Sequence, residues 1–336
     1  MQRFTMQMLT RRSAPAFLIQ GQIEELIGHL PGLWDGNPDS VHRARVATRR
    51  LREILPLYEV THPGQGEPLA TDVRKVGRSL GPVRELDVMQ DLLTDLETRV
   101  PAATGALDVA RGALTHIQQG ARRRMIKTLE RLKVDRLAQM VPVREGQWTS
   151  LLSPHRREWS GALRARIGVR AGTLAGAVDH ATGVYFPKRI HAVRVAVKKL
   201  RYNLELADVT ALWRPPLMLD DIKGIQETLG QIHDMQVLLD RFDRLVPTTV
   251  LAEETNVLTG VLGRQVAHLH AEYVETRSQL RAMCAACQRF AGPRVWGMRH
   301  WPIAVSAAAL PAAVLLMGHQ ISIGGESTPH PAAAGR

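Results

Sequence analysis

Cysteine and aromatic residues are scarce in this chain. Only Cys284 and Cys287 occur in 336 residues, so there is no disulfide framework and the composition suits a reducing compartment. Aromatic side chains make up 4%, which leaves few platforms on which unpaired nucleic-acid bases could stack. No glycine-rich phosphate loop, nucleophile motif or independent carboxylate cluster at metal-ligand spacing is visible. The expectation is therefore a protein that is not an enzyme and carries no metal or cofactor. Met1 to Arg12 mixes Arg3, Arg11 and Arg12 with Gln and Thr and holds no apolar core of signal-peptide length, which predicts a cytoplasmic protein. Runs of β-branched and aromatic residues are sparse while Ala, Leu and Arg abound, so an all-α fold is expected.

What the chain has in excess is positive charge. Lys and Arg number 44 against 32 Asp and Glu, a formal net charge of +12. Such a balance draws a protein to polyanions, whether nucleic acid, anionic lipid or a phosphate polymer. The charge is patterned. His42, Arg45, Arg49 and Arg52 recur in the second half as His191, Arg194, Lys198 and Arg201, with the same spacing. On a helix the four members of each set fall within about 80° of circumference, opposite the apolar Ala47, Leu51, Ile54 and Leu55. Arg50 and Lys199 flank the two stripes at matching positions.

The repeat is longer than the stripe. Without a gap, residues 42–88 align on 191–237, with Val46 on Val195, Leu51 on Leu200, Leu80 on Leu229 and Gly81 on Gly230. Duplicated units of this kind commonly pack with approximate two-fold symmetry, which would bring the two stripes to one cleft. Amphipathic segments joined by short connections predict two antiparallel four-helix bundles related by pseudo-two-fold symmetry, over residues 10–148 and 149–290. Ser40 or Asp39 is the expected N-cap of the first basic helix, and Gly81-Pro82 is expected to interrupt the helix after it. A corresponding break is expected between Leu229 and Ile232. In the long arginine-rich helix from Gly105 to Val134, Leu107, Leu114, Ile117, Met125, Leu129 and Leu132 are the expected buried positions.

Guanidinium forks grip phosphate oxygens bidentately, and lysine adds a mobile point charge. Cationic groups repeated at intervals of about 5.4 Å suit a ligand that itself repeats phosphate along its length. The expected ligand is inorganic polyphosphate. Its expected contacts are His42, Arg45, Arg49, Arg50, Arg52, His191, Arg194, Lys198, Lys199 and Arg201, with Arg74, Arg78 and Lys223 on the rim. His42 and His191 serve either as secondary contacts or as packing residues. Glu85 and Asp234, aligned in the two halves, are expected to pair with arginines of the basic helices and fix their rotamers. The competing expectation is a basic helical protein that binds nucleic acid. Cys284 and Cys287 form a lone CxxC in a helical context and imply no metal.

Residues 291–336 form a tail of different character, with Trp301 to Met317 almost wholly apolar. Seventeen residues lie at the short end of the roughly 17–25 needed to span a bilayer, and Pro302 and Pro311 weaken the run further. The tail is read as a flexible or surface-docked segment, with attachment to a membrane or granule as the alternative.

Two paired motifs resemble those of a known family. They are His42-x-x-Arg45-Val46-x-x-Arg49-Arg50-Leu51-Arg52 with Leu80-Gly81-Pro82-Val83-Arg84-Glu85-Leu86-Asp87, and their second copies His191-x-x-Arg194-Val195-x-x-Lys198-Lys199-Leu200-Arg201 with Leu229-Gly230-x-x-His233-Asp234. Over roughly residues 10 to 290 the chain is similar to the CHAD domain, the conserved histidine α-helical domain. The resemblance implies two helical bundles about a basic groove that binds inorganic polyphosphate, in some members at granules. The Glu-x-Glu-x-Lys signature of the triphosphate tunnel domain fused to some members is absent, so no phosphatase activity is inferred. Asp87 faces Gln236 in the alignment and Arg78 faces Glu227, so the two halves are not equally basic.

Overall fold

A computed structural model of the chain describes residues 15–140, 154–214, 216–246 and 251–292. Among them there is helix and no strand. The first half contributes α1 (Pro15–Gly28), the short α2 (Leu30–Trp34), α3 (Pro38–Thr61), α4 (Gly66–Arg99) and α5 (Thr104–Leu132). The second half contributes α6 (Pro154–His180), α7 (Pro187–Val209), α8 (Pro216–Leu245) and α9 (Ala252–Ala291). The expected linker around residues 142–153 and the apolar tail lie outside the described residues.

The basic helices are α3 and α7. Proline begins both, where its fixed φ suits the first turn and its missing N–H costs no hydrogen bond. The cap of α3 is Asn37 rather than Ser40 or Asp39. Its Oδ1 accepts a hydrogen bond from the Ser40 N–H at 3.0 Å, so Ser40 supplies a backbone donor inside the first turn. After α3 the chain turns through Gly64, whose φ of +81° is open to glycine at no steric cost.

Two expected interruptions are absent. α4 runs through Gly81-Pro82 without a break, and α8 runs through Gly230. Proline removes one hydrogen bond from a helix, but Leu80, Val83, Leu86 and Met89 on either side of Pro82 are all buried against neighbouring helices. That continuous apolar face outweighs the missing bond. Pro56 sits inside α3 in the same way, between buried Leu55 and Leu57.

Helices adjacent in sequence pack side by side: α3 lies between α1 and α4, α4 contacts α5, and in the second half α6, α7, α8 and α9 form a closed ring because α9 returns to α6. The two halves meet directly. α3 touches α6 and α7, α4 touches α8, and α5 touches α8 and α9. The core faces of the basic helices match expectation, with Ala47, Leu51, Ile54 and Leu55 buried on α3 and Ala196, Leu200 and Leu204 buried on α7. Each fully buried Leu or Ile contributes about 1.5–3 kcal/mol relative to exposure. On α5, Leu107, Leu114, Met125 and Leu129 are buried but Ile117 is 43% exposed. Helical spacing reports a face, whereas burial needs a neighbour, and no described residue covers Ile117 fully.

A buried polar junction joins the halves. Glu53 of α3 accepts hydrogen bonds from Arg166 Nη2 of α6 at 2.8 Å, Arg170 Nη2 of α6 at 3.3 Å and Asn203 Nδ2 of α7 at 3.1 Å. Glu53 is 7% exposed and Asn203 fully buried. Burial favours the neutral acid, yet the two arginines and these hydrogen bonds hold the Glu53 carboxyl below its ordinary value.

Candidate functional site

The middle positions of the two stripes approach one another. Arg45 and Arg49 on α3 and Arg194 and Lys198 on α7 lie within electrostatic reach of one another: Arg45 is perturbed by Arg194, and Lys198 by Arg194, Arg49 and Arg45. Three guanidinium groups and one amine from two halves of the chain thus share one part-buried region. Burial pushes the Arg45 guanidinium down to about 10, with Arg49 and Arg194 adding to the shift. Burial likewise pushes the Lys198 ammonium down to about 6, with Arg194 and Arg49 as the next causes. Arg194 Nε is buried and has no hydrogen-bond partner among the described residues. A cluster of cations that resists its own charge is built to receive an anion.

Glycine makes one of these placements feasible. A Cβ at Gly81 on α4 would stand 2.9 Å from Arg45 Nη1, and the same nitrogen donates to the Gly77 carbonyl at 3.5 Å. The Arg45 guanidinium of α3 therefore rests against α4 in space left by Gly81. At the aligned Gly230 nothing comes within 4 Å. The second copy of the glycine has no such guest.

Histidines flank the cations at aligned positions. His42 is perturbed by Arg84 of α4, while His191 packs on His233 of α8 with ring centroids 4.9 Å apart and Nδ1 atoms 3.4 Å apart. Arg84 and His233 are themselves aligned, so the histidine of each basic helix stands near a basic residue of the next long helix, arginine in one half and histidine in the other. Desolvation lowers His42 and His191, and lowers His233 to about 3, with neighbouring cations acting the same way. All three imidazoles are neutral at pH 7 while the site holds no anion.

The aligned acids differ. Asp234 pairs with Arg194 at 3.7 Å, as expected for a residue that positions the basic helix. Burial raises its carboxyl, an effect that Arg194 and Lys198 oppose. Glu85 instead pairs with Arg241 of α8, so its ion pair ties α4 to α8 across the halves rather than to a basic helix. Glu85 still lies near enough to raise the Arg45 guanidinium.

The other expected contacts are placed elsewhere. Arg50 of α3 and Arg201 of α7 both reach Glu205, Arg50 at 3.5 Å, and Arg201 also donates from Nε to Gln226 Oε1 at 2.8 Å while stacking on Tyr202. Lys199 lies beside Arg170, Glu53 and Arg52, at the buried junction. Arg74 is occupied by Glu67 at 2.9 Å and by Thr71. Arg78 and Lys223 are exposed. The inner set is thus His42, Arg45, Arg49, His191, Arg194 and Lys198, joined by Arg84 and His233. Sequence reasoning did not place those last two in the site. Their alignment as two cation-forming residues, one helix along from the stripes, was the available signal.

Among the described residues no group of three or more His, Cys, Asp or Glu is arranged to hold a metal ion. Cys284 and Cys287 are buried thiols whose ionisation burial suppresses, to about 11 and 12. Also among the described residues, no helix is long and apolar enough to cross a membrane.

An all-α body whose duplicated halves bring basic side chains together defines the class of protein. Within it, a profile of the CHAD domain matches residues 18–243, and the chain belongs to the CHAD domain family. Among solved structures it is similar to the crystal structure of the CHAD domain from the plant Ricinus communis, with a TM-score of 0.57 and 21% identity, covering 82% of this chain and 92% of that one. At that identity the likeness concerns the fold. PptA from Streptomyces chartreusis matches with a TM-score of 0.49 and 17% identity, over 82% of this chain and 99% of that one. No curated protein matches the chain.

Proposed function

We propose that this protein binds inorganic polyphosphate, without cleaving it, in the basic site between α3 and α7. The observation that supports this reading is the meeting of Arg45 and Arg49 with Arg194 and Lys198 from the other half of the chain. A linear polyphosphate offers several oxyanions per turn-length of helix, so one chain reaches all four groups and satisfies the orphan Arg194 Nε. Arg84 extends the positive surface along α4. The histidines respond to the ligand, taking up protons as phosphate approaches. Association with a polyphosphate granule in the cytoplasm would follow from the same contacts.

The test is a binding titration against long-chain polyphosphate across a salt series, with duplex DNA as competitor. Affinity should fall steeply with salt, as counterion release requires, and polyphosphate should displace DNA at moderate salt. Replacing Arg45, Arg49, Arg194 and Lys198 together by Ala should reduce affinity at least a hundredfold with helical circular dichroism unchanged. Unchanged affinity in that variant, or preferential retention of DNA, would overturn the reading.

A further inference from the structure

The basic stripe of α7 changes sign before the helix ends. Arg194, Lys198 and Arg201 are followed, at helical spacing, by Glu205 and Asp208 on the same side of α7. The first half has no such pair: Pro56 stands at the position of Glu205, and Glu59, at that of Asp208, accepts hydrogen bonds from the Gly64 and Gly66 N–H groups. Both α7 acids line a cavity of about 230 Å³ bounded by α1, α3, α7 and α8. Leu18 of α1, Ile54 of α3, Leu206 of α7 and Leu219 of α8 give it an apolar wall. Ile54 is buried while Val209, also on the lining, is 52% exposed, so the cavity opens to solvent beside Val209. Its charged lining is two carboxylates against one guanidinium, that of Arg50, in a chain whose formal charge is +12. Glu205 is engaged by Arg50 at 3.5 Å and by Arg201. Among the described residues no hydrogen bond or ion pair engages the Asp208 carboxylate, and Gln22 of the lining has a buried Oε1 with no partner.

We propose that this cavity binds a small organic ammonium ion, its aliphatic body against the leucines and Ile54 and its N–H groups on Asp208, Glu205 and Gln22. A buried acceptor without a donor costs free energy, and the open groups here are acceptors. A primary ammonium carries three N–H donors and no acceptor, the complement of that set. A carboxylate or phosphate would meet Asp208 as a like charge, and a hydrocarbon would leave Asp208 and Gln22 unanswered. Arg50 is already paired with Glu205, which leaves Asp208 as the uncompensated charge of the lining. Glu205 and Asp208 also stand near the C-terminal end of α7, where the helix dipole is negative and favours a cation. Pockets for drug-sized ligands run to about 300–1,000 Å³, so this smaller one suits an amine with a short alkyl chain. One helix would then serve two ligands of opposite sign, an anion toward its middle and a cation at its end.

The probe is pentylammonium chloride, titrated by calorimetry into the full chain, free of polyphosphate, at pH 7 and low salt. The uncharged control of similar shape is 1-pentanol. Pentylammonium should bind at one site per chain and at least tenfold more tightly than the alcohol, and equal affinity for the two overturns the proposal. Asp208→Asn keeps the size of the side chain and removes its charge. It should weaken pentylammonium at least tenfold and leave 1-pentanol within twofold; an unchanged pentylammonium affinity counts decisively against the site. Leu18→Trp, at the half-buried wall, fills the cavity and should abolish binding of both probes, whereas retained binding would put the amine elsewhere on the chain and overturn the assignment. Circular dichroism establishes that each variant is folded, and if Leu18→Trp is not, Val209→Trp at the exposed mouth takes its place with the same two outcomes. None of these results depends on polyphosphate binding, so failure here leaves the proposed function standing, and the reverse holds as well.

Discussion

At the scale of single residues, Gly81 shows how an unremarkable position controls the site. Adding a methyl group there places carbon 2.9 Å from Arg45 Nη1, which forces the guanidinium off α4. Alanine also favours helix over glycine by up to about 1 kcal/mol. Gly81→Ala should therefore leave thermal stability equal or higher while lowering polyphosphate affinity several-fold. Gly230→Ala, with open space around it, should raise stability and leave affinity alone. Calorimetry and a binding titration on the two variants check both halves of this expectation. The sequence presented the two glycines as equivalent copies, because alignment compares letters. Which one accommodates an arginine depends on helix packing. The same limit explains Arg50 and Arg201: both belong to the repeated basic pattern, but Glu205 stands within reach of both. The Arg201–Glu205 spacing of one turn was readable in advance. Its meeting with Arg50 from another helix was not.

At the scale of elements, the helices of the fold were readable where apolar spacing was long and regular, and misread where punctuation residues stood inside a buried face. Pro82 and Gly230 are breakers by local preference, but α4 and α8 each keep one side in the core throughout. Packing overrides propensity there. That the basic residues of α3 and α7 ride on helices needed only helical periodicity, whereas the Glu53 junction was invisible because its partners come from α6 and α7. That junction is where elements of the two halves depend on each other. Glu53→Gln leaves Arg166, itself buried, without its counter-charge, and should destabilise the protein by about 3 kcal/mol. A urea midpoint shifted by less than a third of that would show that the junction contributes little. Because Glu53 is held below its ordinary value when folded, its contribution is present above the unfolded carboxylate range and is lost as pH falls through the folded value.

At the scale of the whole molecule, the inner cluster links folding, protons and ligand. Lys198, His42, His191 and His233 all hold protons less tightly in the folded, empty site than in the unfolded chain. The unfolded state therefore binds more protons, so stability rises with pH, chiefly between the Lys198 value of about 6 and its ordinary 10.5. Scanning calorimetry of the ligand-free protein at low salt should show the melting temperature climbing from pH 6 to pH 9. Polyphosphate reverses the preference, since the bound form gains by holding those protons. Affinity should fall several-fold from pH 6 to pH 8, and a flat profile would remove these groups from the site.

The Glu53 junction has a consequence for ancestry. Its aligned counterpart in the second half is Tyr202, so the chain carries the carboxylate once and not twice. An ancestor made of two identical subunits would have offered that acid symmetrically, or lacked it altogether. The two halves are not interchangeable parts: one supplies the acid, the other the groups that neutralise it.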